Sequence, residues 1–187
     1  MSSSPAVANG VVYVGTLNPT LYAFNAVTGA VLSGWPKSTG NPISSSPAVA
    51  NGVVYVGSED NKLYAFNALT GAPLSGWPVS TGASINSSPA VANGVVYVGS
   101  EDNNLYAFNA VTGALLWAAT TGAGIDSSPA VVNGTVYVGS NDDNLYAYNL
   151  EASLTPEVLS MAAAREATAK APEPSSLIPD YSLQPRN

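Results

Sequence analysis

Three acidic pairs are the residues most open to chemistry: Glu59-Asp60, Glu101-Asp102 and Asp142-Asp143, with Leu17-Asn18 at the corresponding place nearer the start. Clustered carboxylates supply the hard oxygens that calcium prefers, so all six acids are candidate metal ligands. Their spacing matches no calcium loop. Asp and Asn also close tight turns by hydrogen bonding to their own backbone, and that is the expected role here. Serine pairs such as Ser45-Ser46 and Ser87-Ser88 carry hydroxyls, but the chain contains no histidine that could activate them as nucleophiles. Two rows of tyrosine, Tyr13, Tyr55, Tyr97, Tyr137 and Tyr22, Tyr64, Tyr106, Tyr146, could form a sugar-binding surface. Their recurrence inside apolar runs points instead to packing, with the hydroxyls reaching polar partners.

Composition narrows the chemistry further. Histidine and cysteine are both missing, which removes the usual zinc ligands, the commonest general base and every disulfide. Only 9% of the 187 residues are charged, so solubility must rest on Ser, Thr, Asn and exposed backbone. The net charge is -7, and residues 1 to 149 carry seven acids against Lys37 and Lys62 alone. Nucleic acid and anionic membrane surfaces are therefore not expected partners, since both demand a basic footprint. No apolar run reaches the roughly 18 residues of a membrane span. Met1 leads directly into the repeated phrase, so no signal peptide is expected within this chain.

The elements that position these side chains are duplicated. Ser-Ser-Pro-Ala-Val-x-Asn-Gly-x-Val-Tyr-Val-Gly recurs with its proline at Pro5, Pro47, Pro89 and Pro129, at intervals of 42, 42 and 40 residues. A second phrase, Leu-Tyr-Ala-aromatic-Asn, ends at Asn25, Asn67, Asn109 and Asn149. A period of about 40 residues signals a repeat architecture. In the second unit, Ser44 to Ala50 reads as a strand closed by Asn51-Gly52, the pair that best tolerates the positive φ of a type I′ hairpin. Val53 to Gly57 reads as a strand buried on both faces, Leu63 to Asn67 as a third, and Ala72 to Val79 as an outer strand carrying Trp77. Pro78 places that last strand at an edge. Such units pack radially as the blades of an all-β propeller, the arrangement that covers both faces of each sheet.

The assembled phrase, continued by Ser-x-Asp-x-x-Leu-Tyr-Ala-Phe-Asn-Ala-x-Thr-Gly and a tryptophan, resembles the pyrroloquinoline quinone (PQQ) enzyme repeat and its PQQ-like relatives over residues 2 to about 149. The resemblance implies seven or eight blades in a closed ring, with the outer tryptophan docked between blades, a role falling to Trp35, Trp77 and Trp117. It also implies a periplasmic or extracellular setting. Quinone-dependent members of that family use acidic, cationic and stacking residues with calcium, and many a vicinal cysteine pair. No such constellation stands out from the repeat pattern here. The expectation is a non-enzymatic propeller module without a cofactor, acting as scaffold or protein-interaction domain. The alternatives are a fragment of a quinone-dependent dehydrogenase and a calcium-dependent carbohydrate-binding propeller.

Blades are expected over residues 1–42, 43–84, 85–124 and 125–154, the last without its own outer strand unless Leu150 to Leu154 supplies one. Four blades are half of an eight-bladed ring, so a homodimer that closes the ring is expected, with a self-closed four-bladed ring as the rival. The near-identity of the second and third copies fits an amplified or engineered repeat. Thr155-Pro156-Glu157 reads as a helix start, giving a short helix over 155–171 followed by a proline-rich, extended tail over 172–187.

Overall fold

The computed structural model describes residues 3–150 together with Arg165 and Glu166. Four antiparallel sheets of four strands follow one another along the chain. The first holds β1 (Ala6–Ala8), β2 (Val11–Thr16), β3 (Thr20–Asn25) and β4 (Lys37–Ser38), and the second β5 (Ala48–Ala50), β6 (Val53–Ser58), β7 (Lys62–Asn67) and β8 (Val79–Ser80). The third holds β9 (Ala90–Ala92), β10 (Val95–Gly99), β11 (Asn104–Asn109) and β12 (Leu115–Thr120). The fourth holds β13 (Ala130–Val132), β14 (Thr135–Gly139), β15 (Leu145–Asn149) and β16 (Arg165–Glu166). The fold is the expected all-β propeller arrangement.

Local chemistry explains each sheet. At the first hairpin of the second sheet Asn51 and Gly52 adopt φ of 50° and 74°, the left-handed pair that a type I′ turn requires. That turn fixes the register Ala50↔Val53, Val49↔Val54 and Ala48↔Tyr55. Period-2 alternation then divides the central strands into two faces, Tyr55, Leu63 and Ala65 forward and Val54, Val56 and Phe66 to the rear.

The outer strands differ from expectation. Ala72 to Trp77 forms turns and a single bridge, Phe66↔Pro73, and the ladder resumes only at Val79–Ser80, after Pro78. Proline offers no N–H to the neighbouring strand, which accounts for the delay. The third repeat is two residues shorter and has Ala118 where the second has Pro78, so β12 runs six residues and includes Trp117. At the fourth sheet, the outer position is taken by Arg165–Glu166, paired to Ala147 and Tyr146. These two residues fall within the segment expected as helix over 155–171; the open hydrogen-bonding edge of β15 gives them strand partners instead. The rest of that segment, and the tail over 172–187, lie outside the described residues.

Apolar residues collect in three seams between consecutive sheets. Tyr13, Leu21, Ala23, Trp35 and Ile43 pack on Val54, Val56 and Phe66 in the first seam. Tyr55, Leu63, Ala65, Trp77 and Ile85 pack on Val96, Val98 and Phe108 in the second. Tyr97, Leu105, Ala107 and Ile125 pack on Val136, Val138 and Tyr148 in the third. Among the described residues no such cluster joins the fourth sheet to the first.

Candidate functional site

The repeated polar side chains converge on the seams. Tyr13 donates to the carbonyl of Ala68 at 3.0 Å, and Tyr55 repeats the bond to Ala110 at 2.9 Å. Burial pushes the phenols of Tyr13, Tyr55 and Tyr97 above their usual range. Nearer the inner strands, the second serine of each pair accepts from the preceding sheet: Ser46 from the Ser4 N–H at 2.9 Å, Ser88 from Ser46 at 2.9 Å, and Ser128 from Ser88 at 3.2 Å. The first serine turns inward, where Ser45 accepts from the Gly57 N–H and Ser87 from Gly99, each at 3.1 Å. Ser45 and Ser87 are fully buried, so they stand in the wall and not at an accessible nucleophile position.

Trp35 lies edge-on to Tyr13 of its own sheet at 5.6 Å and to Phe66 of the next at 6.0 Å. Trp77 repeats the placement between Tyr55 and Phe108 at 5.5 and 6.4 Å. Trp117 sits between Tyr97 and Tyr148 at 5.9 and 6.1 Å, more tilted and only half-buried. The indole Nε1 atoms of Trp35 and Trp77 are buried without a hydrogen-bond partner, so the rings act in these seams as apolar bulk.

The acidic turns separate into two kinds of residue. Asp60, Asp102 and Asp142 each bind their own turn and reach the chain beyond the outer strand. Asp102 accepts from Asn104 N–H at 3.0 Å, from Gly82 N–H at 2.5 Å and from the Tyr106 hydroxyl at 2.7 Å. Asp60 does the same with Lys62, Gly40 and Tyr64, and Asp142 with Asn144, Gly122 and Tyr146. Burial alone would raise the Asp102 carboxyl, but the bonds from Tyr106, Gly82 and Asn104 outweigh it and hold it below the usual range. Asp142 is lowered chiefly by Tyr146. In return, burial and the Asp60 bond push Tyr64 up to about 12, and burial and Asp102 do the same for Tyr106. Tyr64, Tyr106 and Tyr146 are thus latches on these carboxylates.

Asp143 is not the equivalent of Asp60 and Asp102. It occupies the left-handed turn position of Asn61 and Asn103, at φ of 67° against 67° and 72°. Asn141 holds the place of Glu59 and Glu101. These residues face a row that sequence reasoning missed: Ser44 donates to Glu59 at 2.8 Å, Asn86 to Glu101 at 2.7 Å and to Asp126 at 3.2 Å, and Asn141 to Asp126 at 2.9 Å. Positions 44, 86 and 126 vary as Ser, Asn and Asp, while 59, 101 and 141 run Glu, Glu and Asn. Where an acid enters the first set the second loses one, and that exchange among otherwise near-identical copies was the available signal. Among the described residues no three acidic side chains gather as a cation cage. Nor is any helix among them long and apolar enough to cross a membrane.

A family profile described as outer membrane protein assembly factor BamB matches residues 1–74 and 75–155. Comparison with curated proteins found no match. Among solved structures, the computationally designed Ika8 protein superposes with a TM-score of 0.71 at 16% identity, over 81% of this chain and 46% of that one. The computationally designed Ika4 protein gives 0.71 at 17% identity, over 80% of this chain and 93% of that one. BamB from Moraxella catarrhalis gives 0.66 at 23% identity, over 78% and 44%. The chain thus spans about half the length of Ika8 and of this BamB, and the likeness is one of fold.

Proposed function

The chain belongs to the PQQ-like repeat family whose profile is described as outer membrane protein assembly factor BamB, and from that membership we propose that it is a non-enzymatic propeller module, a rigid scaffold or protein-interaction domain. One observation carries the reading. The repeated hydroxyls, and the turn carboxylates Asp60, Asp102 and Asp142 of the second, third and fourth units, are engaged in joining strand to strand and sheet to sheet, as at Asp102, Tyr106 and Ser87. A catalytic or cofactor group has to present its polar atoms to a ligand, and these present them to the fold itself.

The quinone that related enzymes employ does not fit this donor set. Its acidic oxygens require a cation and a partner ring. Here Asp60, Asp102 and Asp142 are filled by backbone N–H and phenol donors, Trp35 and Trp77 are enclosed in seams, and Lys37 and Lys62 are the only cationic residues in 3–150.

For an interaction role, the loops joining third and fourth strands each display a strongly exposed aliphatic residue just after the third strand. Val27 is 91% exposed, and Leu69 and Val111 are each 73% exposed. Titration with PQQ and calcium tests the proposal. Unchanged quinone absorbance, and no dye reduction with an alcohol or a sugar, is the expected result; saturable binding with turnover would overturn it.

A further inference from the structure

We propose that the two sheet faces left open at either end of this chain are covered by a second copy of the same chain, joined head to tail so that two copies close one ring of eight sheets. The same seam is built three times within the chain, and each open face is one half of it. The rear face of the first sheet presents Val12, Val14 and Phe24, only partly buried, whereas Val54 and Val56 at the same positions of the second sheet are fully buried and Phe66 nearly so. The forward face of the fourth sheet presents Leu145 at 45% exposure, where Leu21, Leu63 and Leu105 are at 0%. Water is excluded from this surface in every internal copy and meets it at both ends.

Hydrogen bonding makes the fit specific. Tyr13 and Tyr55 donate to the carbonyls of Ala68 and Ala110 in the next sheet. The last member of that row, after Tyr97 in the third seam, is Tyr137, and the position equivalent to Ala68 is Ala26, which is exposed here while Ala68 and Ala110 are buried. Tyr137 therefore reaches Ala26 of the second copy. The serine ladder continues in step, with the N–H of Ser128 meeting the hydroxyl of Ser4 of the second copy, as Ser4 meets Ser46 within the chain. The two faces differ, so the contact is heterologous, and such contacts either close into a ring or run on as a fibre. Closure at two copies is the arrangement in which these four sheets supply half of a ring, as they cover 46% of the Ika8 chain. The residues named on both faces are uncharged, which suits their burial against each other. This inference stands apart from the scaffold reading, because a quinone-binding chain could pair in the same way.

Sedimentation equilibrium and light scattering on the full chain are expected to show twice the 18.9 kDa chain mass at micromolar concentration. Val14→Asp or Leu145→Asp places an unpaired carboxylate in both seams of the ring and raises the dissociation constant by at least about tenfold. The milder Tyr137→Phe, which keeps the packing, weakens association by several-fold through one lost hydrogen bond. Mixing V14D with L145D is expected to restore the doubled mass, because one of the two seams then joins unaltered faces. A wild-type mass of one chain, as when residues 151–187 cover the faces, overturns the proposal. So do a mass that climbs past two chains with concentration, loss of dimer in V14D but not in L145D, and failure of the mixture to recover.

Discussion

The hydroxyl of Tyr106 donates to the carboxylate of Asp102 at 2.7 Å, and the same carboxylate takes the N–H of Gly82 from the chain beyond the preceding outer strand. One side chain thereby ties together a hairpin turn, a central strand and the neighbouring sheet's exit. Removing it strands a phenol and a backbone donor at once, which costs more than losing one neutral bond. Asp102→Ala is expected to destabilise the fold by about 2 kcal/mol, read by urea denaturation. Asp102→Asn should recover part of that loss, since an amide oxygen still accepts from Gly82.

The same latch sets the acid limit. The folded carboxyl of Asp102 lies below its ordinary range, as does that of Asp142. The stability they contribute is therefore present above the unfolded value of about 3.9 and is lost as pH falls through the lower folded value. The melting midpoint should hold down to about pH 4 and decline below it, and D102A should flatten that decline.

At the alkaline end the sign reverses. Tyr64, Tyr106 and Tyr148 are each pushed up to about 12, burial being the first cause in all three. Their contribution is full below the unfolded phenol value of about 10 and disappears as pH rises toward about 12. Tyrosinate absorbance followed alongside circular dichroism should show part of the tyrosine titrating only as the sheet signal is lost.

Reading the sequence recovered the sheets because their signals are local. Asn51-Gly52 specifies its own turn, and Val53 to Gly57 is too apolar and β-branched for anything but a covered strand. Tyr55 and Trp77 are both buried; packing of the first was expected from its recurrence inside an apolar run, and docking of the second from the family resemblance. The acidic turns were harder, because adjacency in sequence does not say which way a side chain leaves a tight turn. Asp142-Asp143 looks like Glu101-Asp102, yet Asp143 holds the left-handed position of Asn103. Likewise Ala72 to Val79 has the composition of a strand, and only the Gly76-Trp77-Pro78 corner keeps most of it off the ladder. The contact of Asn86 with Asp126 joins residues 40 apart, a distance over which nothing local could have announced it.

Calcium binding through the acidic turns can be tested directly. Asp60, Asp102 and Asp142 are filled with N–H and O–H donors, and no three acidic side chains gather among the described residues. Millimolar calcium is accordingly expected to leave the melting midpoint unchanged, since a ligand of the folded state alone would raise it.

Trp77 is the seam residue whose loss should be felt most clearly. Its ring fills the space between Tyr55 and Phe108 and its Nε1 bonds to nothing, so bulk is its whole contribution. Trp77→Ala is expected to cost about 3–5 kcal/mol and Trp77→Phe markedly less, by denaturant midpoint. The half-buried Trp117 should be less sensitive to the same truncation.

The strictest test of the seam geometry adds a single methyl group. Gly57 lies in the buried run of β6 against the next unit's isoleucine, and a Cβ there would overlap the Cγ2 of Ile85. Gly99 stands in the same relation to Ile125. Gly139, the equivalent residue of the fourth sheet, would place its Cβ 3.4 Å from the Ser127 hydroxyl, an ordinary contact. Identical substitutions at identical repeat positions should therefore diverge. Gly57→Ala is expected to lose about 1–3 kcal/mol through overpacking, whereas Gly139→Ala should stay close to the parent in thermal melting. Equal losses at both sites would mean that the glycines answer to backbone conformation and not to the isoleucine packed on them.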